Sequence, residues 1–216
     1  MIIIELKWGF TVEFYSQFGQ DKWLYDNIFN GKVGGTFVEF GALDGVFHSN
    51  TYFFEKFMGW TGLCIEPNPS MYKELIQNRS CRCLNNAVFY RNGFVDFIKI
   101  DGPVRGWSGI FQSMDTEHIR RISSNVNDDL KSVIQTEART LESILANENI
   151  YSIDYMSIDV EGAEADILLS FPFDMFNIGV ISVEVSYGDI ITSILGKRGY
   201  TRIARLGEDN IYKKVV

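Results

Sequence analysis

Residues 36–69 read TFVEFGALDGVFHSNTYFFEKFMGWTGLCIEPNP, and the order of their parts decides the fold. TFVEFG, residues 36–41, is a run of strand-forming residues closed by a glycine. Residues 50–58 read as a helix. TGLCIE, residues 61–66, is a second strand-like run, closed by an acid and followed by Pro67 and Pro69. Strand, helix and strand in this order build a parallel pair, because parallel neighbours need a crossover between them.

The alternation continues outward. Residues 69–78 form a helix begun by Pro69 and Ser70, and 82–89 a third strand. Residues 94–100 (FVDFIKI) alternate apolar and polar, like an antiparallel or half-exposed strand. A short strand is expected at 131–137. Thr140 then caps a helix whose TLES start puts an acid in the first turn. Strands at 153–159 and 178–185, helices at 163–170 and 189–197, and a terminal antiparallel pair at 200–206 and 210–215 complete the chain. The pattern implies an α/β fold with a mostly parallel sheet of about seven strands, helices on both faces and a C-terminal antiparallel pair. Residues 102–118 are irregular and glycine-rich, the mark of a long lid or binding loop.

A length of 216 residues suits one domain, with 1–30 as an N-terminal cap segment and 31–216 as the core. The start, MIIIELKWGF, meets Glu5 and Lys7 at once and carries no basic leader, so it reads as a short strand or packing arm. No apolar stretch reaches the ~18 residues of a membrane span. The net charge of −8 disfavours binding to nucleic acid or anionic membranes. Cys64, Cys81 and Cys83 are an odd number without framework spacing, which fits a reducing, cytoplasmic compartment. Zinc at Cys81 and Cys83 would need further ligands that the neighbouring sequence does not offer.

Ligands of open α/β sheets bind at the carboxyl ends of the strands. Gly41 ends the first strand there, where the absent Cβ permits a sharp turn and a close approach. The spacing G-A-L-D-G is not the G-x-G-x-x-G that serves a pyrophosphate, which argues against a dinucleotide. Glu39, Asp44 and Glu66 around the turn would repel phosphates and suit a cation. Glu66 ends the second strand, where a carboxylate can accept both hydroxyls of a ribose. Asn85, Asn86 and Ala87 follow the third, where amides can read an adenine edge. A nucleoside with a cationic tail and no phosphate is S-adenosylmethionine. Ser49 and Asn50 serve equally as caps of the following helix.

FVEFGALDGVFHSNTYFFEK, GLCIEPNP, RTLESIL and SIDVEGAEADIL together resemble the FkbM-type methyltransferases, over roughly residues 15–213. The upstream YSQFGQDKWL is similar to a segment found in part of that family. The resemblance implies a Rossmann-like class I methyltransferase fold, dependence on S-adenosylmethionine and transfer to oxygen. It implies a cofactor site of Gln17, Asp21, Glu39, Gly41, Ala42, Asp44, Ser49, Asn50, Glu66, Pro67, Asn86, Ala87 and Asp159. The expected acceptor is a saccharide hydroxyl of a glycan or glycoconjugate. The alternatives are another small acceptor (polyketide, lipid or amine) or a non-catalytic binding module.

Methyl transfer from a sulfonium needs in-line alignment and, for a weakly acidic hydroxyl, a base. Asp159 and Glu184 end adjacent strands and are candidates, with Glu161 at a helix start and His118 after the glycine-rich loop. His48, in the cofactor turn, reads as structural. Asp159, Glu161, Glu184 and Asp189 would alternatively hold a Mg²⁺, although no spacing demands it. Trp107 and Tyr187 suit stacking on a sugar face.

Overall fold

The computed structural model describes residues 2–5, 11–184 and 189–215. Strands β1 (Ile2–Glu5) and β2 (Thr11–Phe14) pair antiparallel, as expected of a packing arm, and lead into helix α1 (Gln20–Leu24). There follow β3 (Thr36–Phe40), α2 (Tyr52–Met58), β4 (Thr61–Ile65), α3 (Pro69–Asn78), β5 (Arg82–Leu84) and β6 (Ala87–Val88). Next come β7 (Gly93–Ile100), β8 (Gly109–Ile110), α4 (Thr116–Asn125), β9 (Lys131–Arg139) and α5 (Leu141–Asn147). The chain closes with β10 (Ser152–Ile158), α6 (Glu164–Ser170), β11 (Asn177–Glu184), α7 (Asp189–Gly196), β12 (Tyr200–Leu206) and β13 (Asp209–Lys214).

The main sheet has seven strands in the order β12-β13-β11-β10-β3-β4-β5. Neighbours from β11 to β5 run parallel, and β13 joins β11 and β12 antiparallel. This is the expected Rossmann-like sheet with its terminal pair. Both of its faces are buried. Along β3, Phe37 faces a cluster with Leu24, Phe53, Phe54 and Trp60, whereas Val38 and Phe40 face one with Ile144, Ile158, Ile167 and Val183. Central strands covered on both sides are mostly apolar, which explains the hydrophobic residues of TFVEF and TGLCI; Glu39 is the buried exception.

Three expectations change in detail. The strand read at 82–89 divides at Asn85, whose Nδ2 donates to the carbonyls of Glu66 and Pro67 and turns the chain out of the sheet. The strands read at 94–100 and 131–137 leave the main sheet and build a second one, ordered β6-β9-β7-β8. The segment 102–118 holds two 3-10 turns and β8, and its last residues already belong to α4, capped by Asp115 accepting from the His118 amide at 2.6 Å.

Candidate functional site

Strands β3, β4, β10 and β11 run parallel, so the residues after them gather at one edge. Gly41, Glu66, Asp159 and Glu184 stand there and line a single cleft. The second sheet contributes Ala87, Val88, Phe97 and Ile110 to its wall, and the connection before β8 contributes Trp107. Helix α4 contributes Arg121, the turn between β12 and β13 contributes Glu208, and the start of β13 contributes Asp209.

Gly41 has φ +70, and a Cβ there would meet the carbonyl oxygen of Asp159 at 1.8 Å. Its glycine is thus required by the contact between two strand ends. Gly162, with φ +116, likewise lies so close to Ser113 that a Cβ would come within 2.5 Å of its carbonyl oxygen. Leu43, His48 and Glu161 take positive φ angles of 49, 58 and 56° without being glycine, and all three line the cleft. Such backbone costs ~1–3 kcal/mol per residue and persists where the surroundings enforce it.

Glu39 is 4% exposed and fully engaged. It accepts from Ser49 Oγ (2.9 Å), the Asn50 amide (2.7 Å), Thr51 Oγ1 (2.7 Å) and Arg79 Nη1 (3.1 Å). Arg79 also donates to Glu55, Thr51 and the Gly45 carbonyl. This buried ion cluster ties residues 45–51 to β3. Ser49 Oγ accepts from the Tyr52 amide at 3.0 Å, so it also holds the first amide of α2. Asn50 donates to Ser157 Oγ at 2.9 Å, and its Oδ1 is buried with no partner among the described residues.

Glu66 is 2% exposed; its two oxygens accept from the Leu43 amide (2.9 Å) and the Asn68 amide (2.7 Å). Burial pushes its pKa up to about 7 against those two bonds. Pro67, Asn86, Ala42 and Ala87 line the cleft, and Asn86 Nδ2 donates to Glu137. Asp44 stands behind the turn, accepting from the Val46 and Phe47 amides and from Arg105 at 2.9 Å. It is not among the lining residues. Of the N-terminal segment, Gln17 and Gln20 reach the cleft. Asp21 instead holds that segment's shape by accepting from the Tyr15 and Lys22 amides and Ser16 Oγ.

Oxygens of Asp159, Glu161 and Glu184 lie within 4.8 Å of one another. Protein surrounds Asp159, yet its side chain opens onto the cleft and is exposed through it. Burial first, and the charge of Glu184 next, push the Asp159 carboxyl well above the usual range. Glu161 rises for the same two reasons, and Glu184 rises to about 7, mainly by burial. Water entering the open cleft moderates these shifts; a ligand that displaces it sharpens them. Glu184 Oε2 is buried without a partner among the described residues.

His118 does not line the cleft. Its Nε2 meets the Trp107 carbonyl at 3.1 Å and its Nδ1 meets Glu161 Oε2 at 3.2 Å, so it stands behind Glu161. His48, at the rim, stacks on Phe47. Tyr187 and the side chain of Asp189 lie outside the described residues. Sequence reasoning missed Gln20, Arg79, Arg121, Ser157 and Asp209. Asp209 carried one signal: it opens a strand that pairs antiparallel with β11, which sets it opposite Glu184. Gln20 Nε2 donates to it at 2.7 Å.

No helix among the described residues is long and apolar enough to cross a membrane. No curated protein matches the sequence. Among solved structures, a TehB-like SAM-dependent methyltransferase from Corynebacterium glutamicum is similar over 93% of this chain and 89% of that one, at 10% identity and a TM-score of 0.46. The fibrillarin/Nop5p complex is similar over 84% and 73%, at 10% identity and a TM-score of 0.39. The family model described as Methyltransferase FkbM domain matches residues 39–201, from the middle of β3 into β12. That span contains Gly41, Glu66, Asp159 and Glu184, and by it the chain belongs to the FkbM methyltransferase family.

Proposed function

We propose that the protein is an S-adenosylmethionine-dependent O-methyltransferase whose acceptor is a saccharide hydroxyl. The observation that carries the cofactor is Asn50 Oδ1, a buried acceptor without a partner among the described residues, in a cleft lined by Glu39, Asp159 and Asp209. An unsatisfied buried acceptor costs ~1–3 kcal/mol, and a cationic donor is the ligand that an acidic lining favours. The residues present therefore fit the cofactor. Asn50 and its acidic neighbours suit an ammonium, and Glu66 suits the hydroxyls of a ribose, with Pro67, Asn86 and Ala87 beside it. When bound, the cofactor supplies an activated methyl on a sulfonium.

The chain's part is positioning and proton transfer. Residues 45–51 are tied to β3 by the Glu39–Arg79 cluster, and alignment of the reactants by such a wall contributes ~7–11 kcal/mol to a two-reactant step. Asp159, at the floor of the cleft, accepts the hydroxyl proton at its carboxylate. Its raised affinity for a proton strengthens it as a base. Glu161 and Glu184 beside it accept hydroxyl hydrogen bonds, which suits a polyhydroxylated acceptor. Trp107 on the wall offers a face for a sugar ring.

Incubating candidate glycans with the protein and cofactor, then reading added methyl mass by mass spectrometry, tests the acceptor. A polyketide, lipid or amine gaining the methyl while glycans do not would replace the saccharide. A second reading is favoured by the close approach of Asp159, Glu161 and Glu184 and by Glu184 Oε2, unpaired among the described residues: a Mg²⁺ that orients a diol. Chelation with EDTA separates the two. Undiminished turnover supports the base, and activity lost and then restored by Mg²⁺ supports the metal.

A further inference from the structure

Cys64 lies on β4 and Cys81 in the connection entering β5, with their sulfurs 3.6 Å apart. Cys64 is buried and Cys81 half-buried. Cys83, paired in register with Cys64, has its sulfur 3.5 Å from the Cys81 carbonyl. All three are free thiols. The pair borders the ion cluster under the cofactor turn. Cys64 Sγ lies 3.8 Å from Glu39 Oε2, and the Cys81 amide donates to Glu55 Oε1 at 3.2 Å. Arg79 binds both of those carboxylates. The two sulfurs need approach by only about 1.5 Å to reach disulfide length.

We propose that Cys64 and Cys81 form a reversible disulfide by exchange with a low-molecular-weight disulfide, and that the oxidised protein binds its cofactor more weakly. Cys81 reacts first because it is the reachable thiol of the pair. The neighbouring Cys64 and Cys83 thiols, and the Arg79 charge, favour its thiolate, holding its pKa well below the ordinary range. Its thiolate attacks one sulfur of the small disulfide, forming a mixed disulfide and releasing one small thiolate. Cys64 then attacks the Cys81 sulfur, its proton passing to the small thiolate that leaves. The Cys64–Cys81 bond forms, the mixed disulfide breaks, and the second small thiolate leaves and is protonated. The protein is oxidised by two electrons, and one small disulfide is reduced to two thiols.

The new bond removes the Cys64 thiol from Glu39 and draws Cys81 away from Glu55. Both changes disturb the contacts of Arg79, which holds the Gly45 carbonyl and Thr51. The turn 45–51 then loses its fixed position, and the cofactor loses a preorganised wall. This consequence rests on the function proposed above; the disulfide does not.

The full chain is equilibrated with oxidised glutathione, blocked with iodoacetamide and digested with trypsin. Cleavage at Arg79 and Arg82 puts Cys81 and Cys83 on separate peptides. The expected result is a linked pair of peptides carrying Cys64 and Cys81, with the mass lowered by two hydrogens. Calorimetry should show S-adenosylhomocysteine binding several-fold weaker after oxidation and restored by a thiol reductant. Cys83→Ser should retain both effects and Cys81→Ser should abolish both. A Cys81–Cys83 link, a persistent glutathione adduct or no loss of hydrogen overturns the disulfide. A Cys64–Cys81 link with unchanged affinity overturns the regulation. Failure of the reduced protein to bind S-adenosylhomocysteine overturns the cofactor reading and the regulation together, while the peptide map still judges the disulfide.

Discussion

The Cα hydrogen of Gly41 that a side chain would replace points at the carbonyl oxygen of Asp159, and a Cβ would stand 1.8 Å from it. The residue that follows β3 and the residue that follows β10 thus share one contact, made by backbone alone. Parallel pairing of Phe40 with Ile158 brings them there. The position of the Asp159 carboxylate in the cleft therefore depends on the absence of atoms at residue 41.

Gly41→Ala is expected to be severely destabilising. A left-handed alanine costs ~1–2 kcal/mol by itself, and the overlap with Asp159 forces the strand ends apart. A total of about 3 kcal/mol would lower Tm by roughly 6–12 °C in a chain of this size. Thermal unfolding of the variant checks this. An unchanged Tm would mean that β3 and β10 separate easily at this end.

Arg79→Met should destabilise the fold by about 3–5 kcal/mol, because it leaves Glu39 and Glu55 buried without their cation. Arg79→Lys keeps the charge but cannot reach Glu39, Glu55, Thr51 and the Gly45 carbonyl together, so it should rescue only part of the loss. Urea midpoints for the two variants decide the matter. Equal loss in both would show that the geometry of the fork matters and the charge does not.

The strand ends were legible in the sequence because TFVEF and TGLCI are mostly apolar and stop at Gly41 and Glu66. Central parallel strands cannot look otherwise. Arg79 and Asp209 were not legible, since their partners lie far away in the chain: 40 residues from Arg79 to Glu39 and 189 from Gln20 to Asp209. Helix α4 escaped notice because its apolar side is only Ile119 and Ile122, set in an otherwise polar TEHIRRISSN. The second sheet was hidden by the shortness of β6, whose two residues read as a continuation of β5. Gly41 was noticed for its turn, but the atom that forbids a side chain belongs to a residue 118 positions later, as 159 − 41 gives.

Stability should fall as pH rises from about 4.5 towards 7. Burial raises Glu66 to about 7 and Asp209 to about 6, from ordinary values of 4.5 and 3.8. In that window the folded chain keeps protons that the unfolded chain has lost, so their stabilising effect is full at the low end and gone at the high end. For Glu66 the ceiling is about 3 kcal/mol. His48 and His118, held low by burial, act with the opposite sign. Glu66→Gln should flatten the slope of urea midpoint against pH. Affinity for S-adenosylhomocysteine should change the other way, rising through pH ~7, because ribose hydroxyls donate best to the ionised carboxylate. Stability and affinity rising together would detach Glu66 from the ribose.

Asp159→Asn separates chemistry from binding. The substitution keeps the size of the side chain and leaves the main-chain contact with Gly41 untouched, so the cleft should retain its shape. It also relieves the crowding with Glu184 and Glu161, so the fold should not suffer. What it removes is the carboxylate that accepts the hydroxyl proton, and a positioned base is worth ~10²–10⁴ in rate. The expected outcome is a fall of that order in the single-turnover rate of methyl transfer, with S-adenosylhomocysteine affinity little changed. If Asp159 served only to bind, affinity would fall and the rate at saturation would hold. If it served only the turn before α6, neither would move. Calorimetry and single-turnover rates on the same two proteins distinguish all three, and the base at Asp159 survives only the first.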